Sequence, residues 1–153
     1  GGLDATPLYV DEVPFWVRSG HPLAQRSDVR TSDLIDYPIV SQFLPGQFRA
    51  WFEGVCESAA KERPGRRVNH AQQCTSYSVL LRLTLDSDAI LLAPVQNVVT
   101  TPAANRLVRL RIPGATGQTR LSAFTLRSPS PPPLARRFVA VMQEAVGAVL
   151  GQG

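Results

Sequence analysis

His21 and His70 are the two histidines of this 153-residue chain and Cys56 and Cys74 its two cysteines, and no spacing among them fits a metal site. His21 precedes a proline in a turn-like stretch, and His70 sits in a strand-like one with no second ligand at metal spacing. Serines are plentiful, but none stands in a Gly-x-Ser-x-Gly setting or a comparable nucleophile arrangement. Both histidines therefore read as structural or surface groups. The cysteines form no C-x-x-C pair and read as buried or half-buried thiols in a reducing cytoplasm. No catalytic residue, metal ligand or cofactor is expected.

What remains is recognition chemistry, concentrated at two corners. Ser41-Gln42-Phe43-Leu44-Pro45 and Gln73-Cys74-Thr75-Ser76 each join a strand-like stretch to a helical one. Hydroxyls, amides and the free N–H groups of a helix start suit a small carboxylate-bearing ligand. The same geometry serves plain helix capping, for which Thr75 or Ser76 would do without any ligand. Gln96, just past Pro94, is a further polar candidate whose simpler role is that of a surface residue.

The elements that must hold these corners can be traced in order. Leu8-Tyr9-Val10 and Val13-Pro14-Phe15-Trp16-Val17 are extended and rich in β-formers. Thr31-Ser32-Asp33-Leu34-Ile35-Asp36 predicts a short helical turn capped by Thr31 or Ser32. A strand over residues 38–42 follows. Pro45-Gly46 then opens a helix to about Glu62, with Phe48, Trp51, Phe52, Val55 and Ala59 on one stripe. Residues 67–71 suit a strand. Residues 77–85 suit a helix apolar on most sides, hence one expected to be buried. The unbroken run Ala89-Ile90-Leu91-Leu92-Ala93-Pro94 fits an interior parallel strand. Residues 107–111 and 121–126 suit further strands, separated by a loop over 114–119. A proline-rich entry at Ser128-Pro129-Ser130-Pro131-Pro132-Pro133 introduces a last helix with Leu134, Phe138, Val141, Ala145 and Ala148 on one face. Strands alternating with helices predict an α/β fold with a mainly parallel sheet, and such sheets bind ligands at the carboxyl ends of their strands.

Composition removes several alternatives. The chain is 44% hydrophobic and 18% charged, as in soluble globular proteins and unlike disordered tails or fibres. No apolar run approaches the roughly 20 residues that cross a bilayer. Gly1-Gly2-Leu3-Asp4 has neither an initiator Met nor the basic start of a secretory signal, so a chain that is processed or cut from something longer is expected. The net charge is +4, but its arginines are scattered without aromatic interleaving, which is no footprint for nucleic acid in this segment.

Taken in order, these segments resemble the effector-binding domain of LysR-type transcriptional regulators. Pro7-Leu8-Tyr9-Val10-Asp11-Glu12-Val13 and Val17-Arg18-Ser19-Gly20-His21-Pro22-Leu23-Ala24 are similar to the family's strand entering the second lobe and its His-Pro-Leu-Ala motif. Asp33-Leu34-Ile35-Asp36-Tyr37-Pro38-Ile39-Val40 and Asp86-Ser87-Asp88-Ala89-Ile90-Leu91-Leu92-Ala93-Pro94 follow the family order, as do Leu107-Val108-Arg109-Leu110 and the closing helix. Arg82-Leu83-Thr84-Leu85-Asp86-Ser87-Asp88 departs from the glycine-rich stretch common there.

The resemblance implies a periplasmic-binding-protein-like (type 2) two-lobed fold, present mostly as its second lobe. Residues 1–16 would be a remnant of the first lobe with the entering strand, 17–125 the second lobe, and 126–150 the helix returning to the first. The DNA-binding domain and the first part of the first lobe would be missing, leaving exposed the patches they cover. The implied function is sensing of a small molecule between the lobes by Ser41, Gln42, Phe43, Cys74, Thr75 and Ser76, with Gln96 in support. Implied partners are that effector, DNA through the missing helix-turn-helix, and further copies in a homodimer or homotetramer, with no membrane. In the family the helix after the first corner packs on a partner subunit's first lobe. A periplasmic solute-binding protein of related fold is the alternative; an enzyme is not expected.

Overall fold

The computed structural model describes residues 2–128 and 132–150; Pro129, Ser130 and Pro131 of the expected proline-rich entry lie outside them. In chain order the elements are β1 (Leu3–Val13), β2 (Phe15–Arg18), a 3-10 helix (Thr31–Asp36), β3 (Pro38–Ser41), α1 (Gly46–Glu62), β4 (Asn69–Gln73), α2 (Tyr77–Asp86), β5 (Ile90–Leu92), α3 (Val95–Val99), a second 3-10 turn (Ala104–Arg106), β6 (Leu107–Arg109), β7 (Gly117–Leu126) and α4 (Pro133–Leu150). They divide into two compact units, Glu12–Thr119 and Gly1–Asp11 with Arg120–Gly153.

The unit Glu12–Thr119 is built on a five-stranded sheet in the order β4-β3-β5-β2-β6. β3 runs parallel to both β4 and β5, while β2 is antiparallel to β5 and β6. β5 is thus interior, as its unbroken apolar run required, and all three of its residues are buried. Alternation along the strands loads both faces. Phe15, Val17, Ile39, Ile90 and Leu92 share one core with Leu34 and with Phe48, Phe52 and Val55 of α1. Trp16, Val40 and Leu91 share the other with Leu80 of α2, Val98 of α3 and Leu107. Trp16 also donates its indole N–H to the Ala93 carbonyl at 3.0 Å, tying β2 to the end of β5.

α1 keeps its expected bounds, and its far end is pinned to the first 3-10 helix. Thr31 and Ser32 donate their hydroxyls to the Glu62 carboxylate at 2.9 and 2.7 Å, and Arg63 reaches Asp36 at 2.6 Å. Neither hydroxyl therefore caps the 3-10 helix as its sequence predicts. The Asp33 carboxylate instead accepts the Arg30 backbone N–H at 2.8 Å.

Four other expectations need correction. The sheet is mixed and not mainly parallel, because β2 enters it antiparallel to both β5 and β6, so that two of its four pairings are antiparallel. β4 lies two residues later than predicted, because its pairing with β3 and not its composition sets its limits. β7 begins at Gly117, inside the expected loop. A Cβ at Gly117 would sit 2.9 Å from Trp51 Cζ3 and closer still to the Phe48 ring, so the strand passes under two aromatic side chains of α1. Finally, α2 buries only Leu80 and Thr84, while Val79 and Leu83 face solvent.

His21, the first residue of the His-Pro-Leu-Ala motif, is a buried turn residue. Its Nδ1 accepts the Leu23 backbone N–H at 3.0 Å, and its Nε2 stands 3.2 Å from the Asp88 carbonyl. An Nδ1 that accepts leaves the proton on Nε2, which donates to that carbonyl. The ring also packs against Tyr37, with centroids 4.4 Å apart.

In the other unit β1 pairs with β7, and Arg127 bonds Asp4 at 2.9 Å. The apolar stripe of α4 lies in the open: Leu134 is 78% exposed and Phe138 61%, while Phe124 and Leu126 of β7 are exposed as well.

Replacing Gly117 by Ala is expected to lower stability by about 1–3 kcal/mol through overpacking against Phe48 and Trp51. Urea denaturation of the two proteins checks this, and an unchanged midpoint would show that the rings yield freely.

Candidate functional site

Parallel pairing of β3 with its two neighbours places Ser41, Gln73 and Leu92 abreast at one end of the sheet. From that end the chain turns into α1, α2 and α3 in succession. The first two turns are the corners singled out from the sequence, and the structure brings them together. The Cys74 N–H donates to the Ser41 carbonyl at 3.1 Å, and Gln42 Nε2 donates to the Thr75 carbonyl at 3.2 Å.

Each candidate residue has a definite place. Ser41 is fully buried; its hydroxyl donates to the Gln42 carbonyl at 2.7 Å and lies 2.8 Å from His70 Nε2. Phe43 is 61% exposed at the rim. Cys74 is half-buried, and its sulfur accepts the Ser76 N–H at 3.3 Å. Thr75 is exposed. Ser76 is the residue before α2 but makes no side-chain cap, its hydroxyl pairing with that of Ser78 at 3.0 Å. The capping role open to Thr75 or Ser76 is thus not taken by either hydroxyl. Gln96 is half-buried on α3.

A recess of about 160 Å³ opens beside the first corner. Gln42, Phe43, Leu44, Pro45 and Phe48 line it, with Leu92 and Pro94 from the end of β5, and Val13 and Thr119. At about 30 Å³ per water it has room for about five, which suits the head of a small molecule and no more. The lining carries no charged side chain. The first intrahelical bond of α1 runs from the Arg49 N–H to the Pro45 carbonyl, so the N–H groups of Gly46, Gln47 and Phe48 have no acceptor within the helix. Neither α1 nor α2 has an acidic residue in its first turn, so the partial positive charge at their starts is not offset locally.

Thr119 and the tie between His70 and Ser41 are not visible in the sequence: the first belongs to β7, the second depends on β3 and β4 lying side by side. Burial, with the like charge of Arg49 beside it, holds the His70 pKa below its ordinary value. Burial likewise lowers that of His21, against the opposing pull of Asp88. Burial pushes the Cys56 thiol up to about 11, which makes it a poor nucleophile. Among the described residues no cluster of His, Cys, Asp or Glu could hold a metal, and no helix is long and apolar enough to cross a membrane.

The LysR substrate binding domain model matches residues 1–147. The chain belongs to the LysR substrate-binding domain family. Its fold is accordingly the type 2 periplasmic-binding-protein-like α/β fold of that family, whose members are sensing domains of transcriptional regulators and not enzymes. The LysR domain is similar to a putative transcriptional regulator from Vibrio parahaemolyticus (TM-score 0.74, 17% identity, 98% of this chain and 66% of that one). It is similar also to the CcmR regulatory domain of Synechocystis PCC6803 in complex with 2-PG (TM-score 0.73, 15% identity, 94% and 67%). The effector binding domain of QuiR in complex with shikimate is a third (TM-score 0.65, 15% identity, 95% and 66%). The chain thus spans about two thirds of the length of these solved domains. No curated protein matches it significantly.

Two outcomes follow for the LysR domain. Both histidines have folded-state pKa values below the ordinary 6.5, so the unfolded chain binds protons more readily. Stability is therefore full above pH 6.5 and declines as pH falls below it toward the folded values, a trend that urea midpoints across pH 5–8 would reveal and that a flat profile would contradict. The Tyr77 hydroxyl is buried without a hydrogen-bond partner. Tyr77→Phe is expected to leave stability unchanged or raise it by up to about 1 kcal/mol, measured the same way. A clear loss would mean that the hydroxyl is satisfied after all.

Proposed function

We propose that this domain senses a small carboxylate-bearing molecule at the end of its sheet where the strands β3, β4 and β5 finish together. The observation that carries the reading is the uncharged recess beside the start of α1, a helix whose first N–H groups have no intrahelical acceptor, with the first corner joined to the second by the bond between Gln42 and Thr75. In such a setting a carboxylate meets hydrogen-bond donors and a favourable helix terminus without an opposing side-chain charge. Phe43 and Phe48 offer apolar surface to the remainder of the molecule. On this reading Gln42, Phe43, Thr75 and Ser76 face the ligand, with Cys74 and Gln96 at the margin. Ser41 acts through the backbone it fixes, since its own hydroxyl is buried. Two relatives of similar fold have been solved with 2-PG and with shikimate, which supports a small polar effector.

The reading extends to the whole regulator. Residues 17–125 form the second lobe, residues 1–16 and 126–150 belong to the first, and the effector is taken up between them. Its binding biases the arrangement of lobes in a homodimer or homotetramer, and that bias reaches DNA through a helix-turn-helix elsewhere in a cytoplasmic protein.

Calorimetry on the full-length regulator against a panel of small carboxylates, with shikimate and 2-PG included, tests this. At least one is expected to bind, and Phe43→Ala or Thr75→Val to weaken that binding by about tenfold, which corresponds to about 1.4 kcal/mol. Binding by no member of the panel, or affinity untouched by either substitution, would count against the site.

A further inference from the structure

We propose that His70, on the strand at the sheet's edge, is the positioning residue that sets the shape of the effector corner; the inference rests on the reading of that corner as the sensing site. His70 stands opposite Ile39 in the pairing of β4 with β3, and the register then slips: Val40 faces Gln72 and Ser41 faces Gln73. The slip is a bulge that gives β4 one extra residue after His70, and bulges re-aim the side chains beside them. Here the imidazole comes to lie 2.8 Å from the Ser41 hydroxyl, with its ring edge-on to Phe52 of α1 at a centroid distance of 5.0 Å.

The direction of each bond follows from the acceptor at the far end. Ser41 Oγ is 2.7 Å from the Gln42 carbonyl, which can only accept, so the hydroxyl proton is committed there. The remaining contact is satisfied when His70 Nε2 carries the proton and donates to the Ser41 oxygen. The resulting chain runs from His70 to Ser41, to the Gln42 carbonyl, and, through the Gln42 side chain, to the Thr75 carbonyl. It joins β4, β3 and both corners. Ser41 is fully buried, so water cannot take the place of the donor that His70 supplies. On the outer side the imidazole borders a recess shared with Arg49, Glu53, Cys56 and Gln73, and its contact with Phe52 ties it to α1 as well as to its own strand.

The test is hydrogen exchange by mass spectrometry on the full-length regulator and four variants, three single ones and the double variant that combines His70→Phe with Ser41→Ala. His70→Phe keeps a ring against Phe52 and removes the donor; His70→Gln restores an N–H at similar reach; Ser41→Ala breaks the chain at its next link. Exchange over residues 42–48 and 74–80 is expected to rise about fivefold or more in His70→Phe and in Ser41→Ala, and in the double variant no further than in either alone. His70→Gln is expected to return it to within about twofold of the parent, with segments from β2 and β6 unchanged throughout. Unaltered corner exchange in both donor-removing variants overturns the proposal. So does failure of His70→Gln to restore it, or a rise that spreads equally to β2 and β6, which would mark His70 as an ordinary packing residue. These readouts need no ligand: a parent protein that binds neither shikimate, 2-PG nor any other panel carboxylate sinks the sensing reading and leaves the His70 result standing on its own.

Discussion

The architecture of the sheet-bearing unit depends on β3 lying between two parallel neighbours. Pairing with β4 on one side and β5 on the other satisfies its backbone and forces three strands to end at one edge. Every feature of the candidate site descends from that constraint. The helices that follow must start at this edge, with their N–H groups unfilled by their own turns. The short loops between strand and helix must lie side by side, close enough for Gln42 to reach Thr75. Were β3 antiparallel to β4, one corner would move to the opposite end and no shared rim would exist.

The two faces of the sheet make this edge firm. On one, Leu34, Ile39, Ile90 and Phe52 form a continuous apolar layer under α1; on the other, Val40, Leu91 and Leu80 do so under α2. Each fully buried side chain of this kind contributes about 1.5–3 kcal/mol of transfer free energy. The surface ion pairs that pin the end of α1, such as Arg63 with Asp36, are worth far less at their exposure and serve mainly to fix its angle. The candidate site is thus mounted on a scaffold whose stability comes from elsewhere. The corner residues Phe43 and Thr75 can stay exposed because the core does not need them.

Much of this was legible in the residues themselves. Pro45-Gly46 and the stripe Phe48, Phe52, Val55, Ala59 give α1 its bounds and its buried face, and Ile90-Leu91-Leu92 announces an interior strand. What escaped was set by distant partners. Asn69-His70-Ala71-Gln72-Gln73 has no β-branched residue and a bulge, so its strand character arises from pairing with β3 and not from local propensity. Gly117 reads as a loop glycine until the rings of Phe48 and Trp51 are seen to lie against it. The dense apolar run of α2 hides which of its sides faces outward, since Val79 and Leu83 are no less apolar than buried Leu80. At the site, the sequence names the two corners and their polar groups. It holds no sign that Ser41 is buried, or that a histidine from the neighbouring strand holds it.

The most direct measurement is a crystal structure of the full-length regulator grown with a carboxylate that it binds. The account places the carboxylate at the recess beside the start of α1, within hydrogen-bond distance of one or more of the Gly46, Gln47 and Phe48 N–H groups, with Gln42 and Thr75 at its rim. A carboxylate bound away from both corners, or corners that stand apart with packed side chains between them, would contradict it.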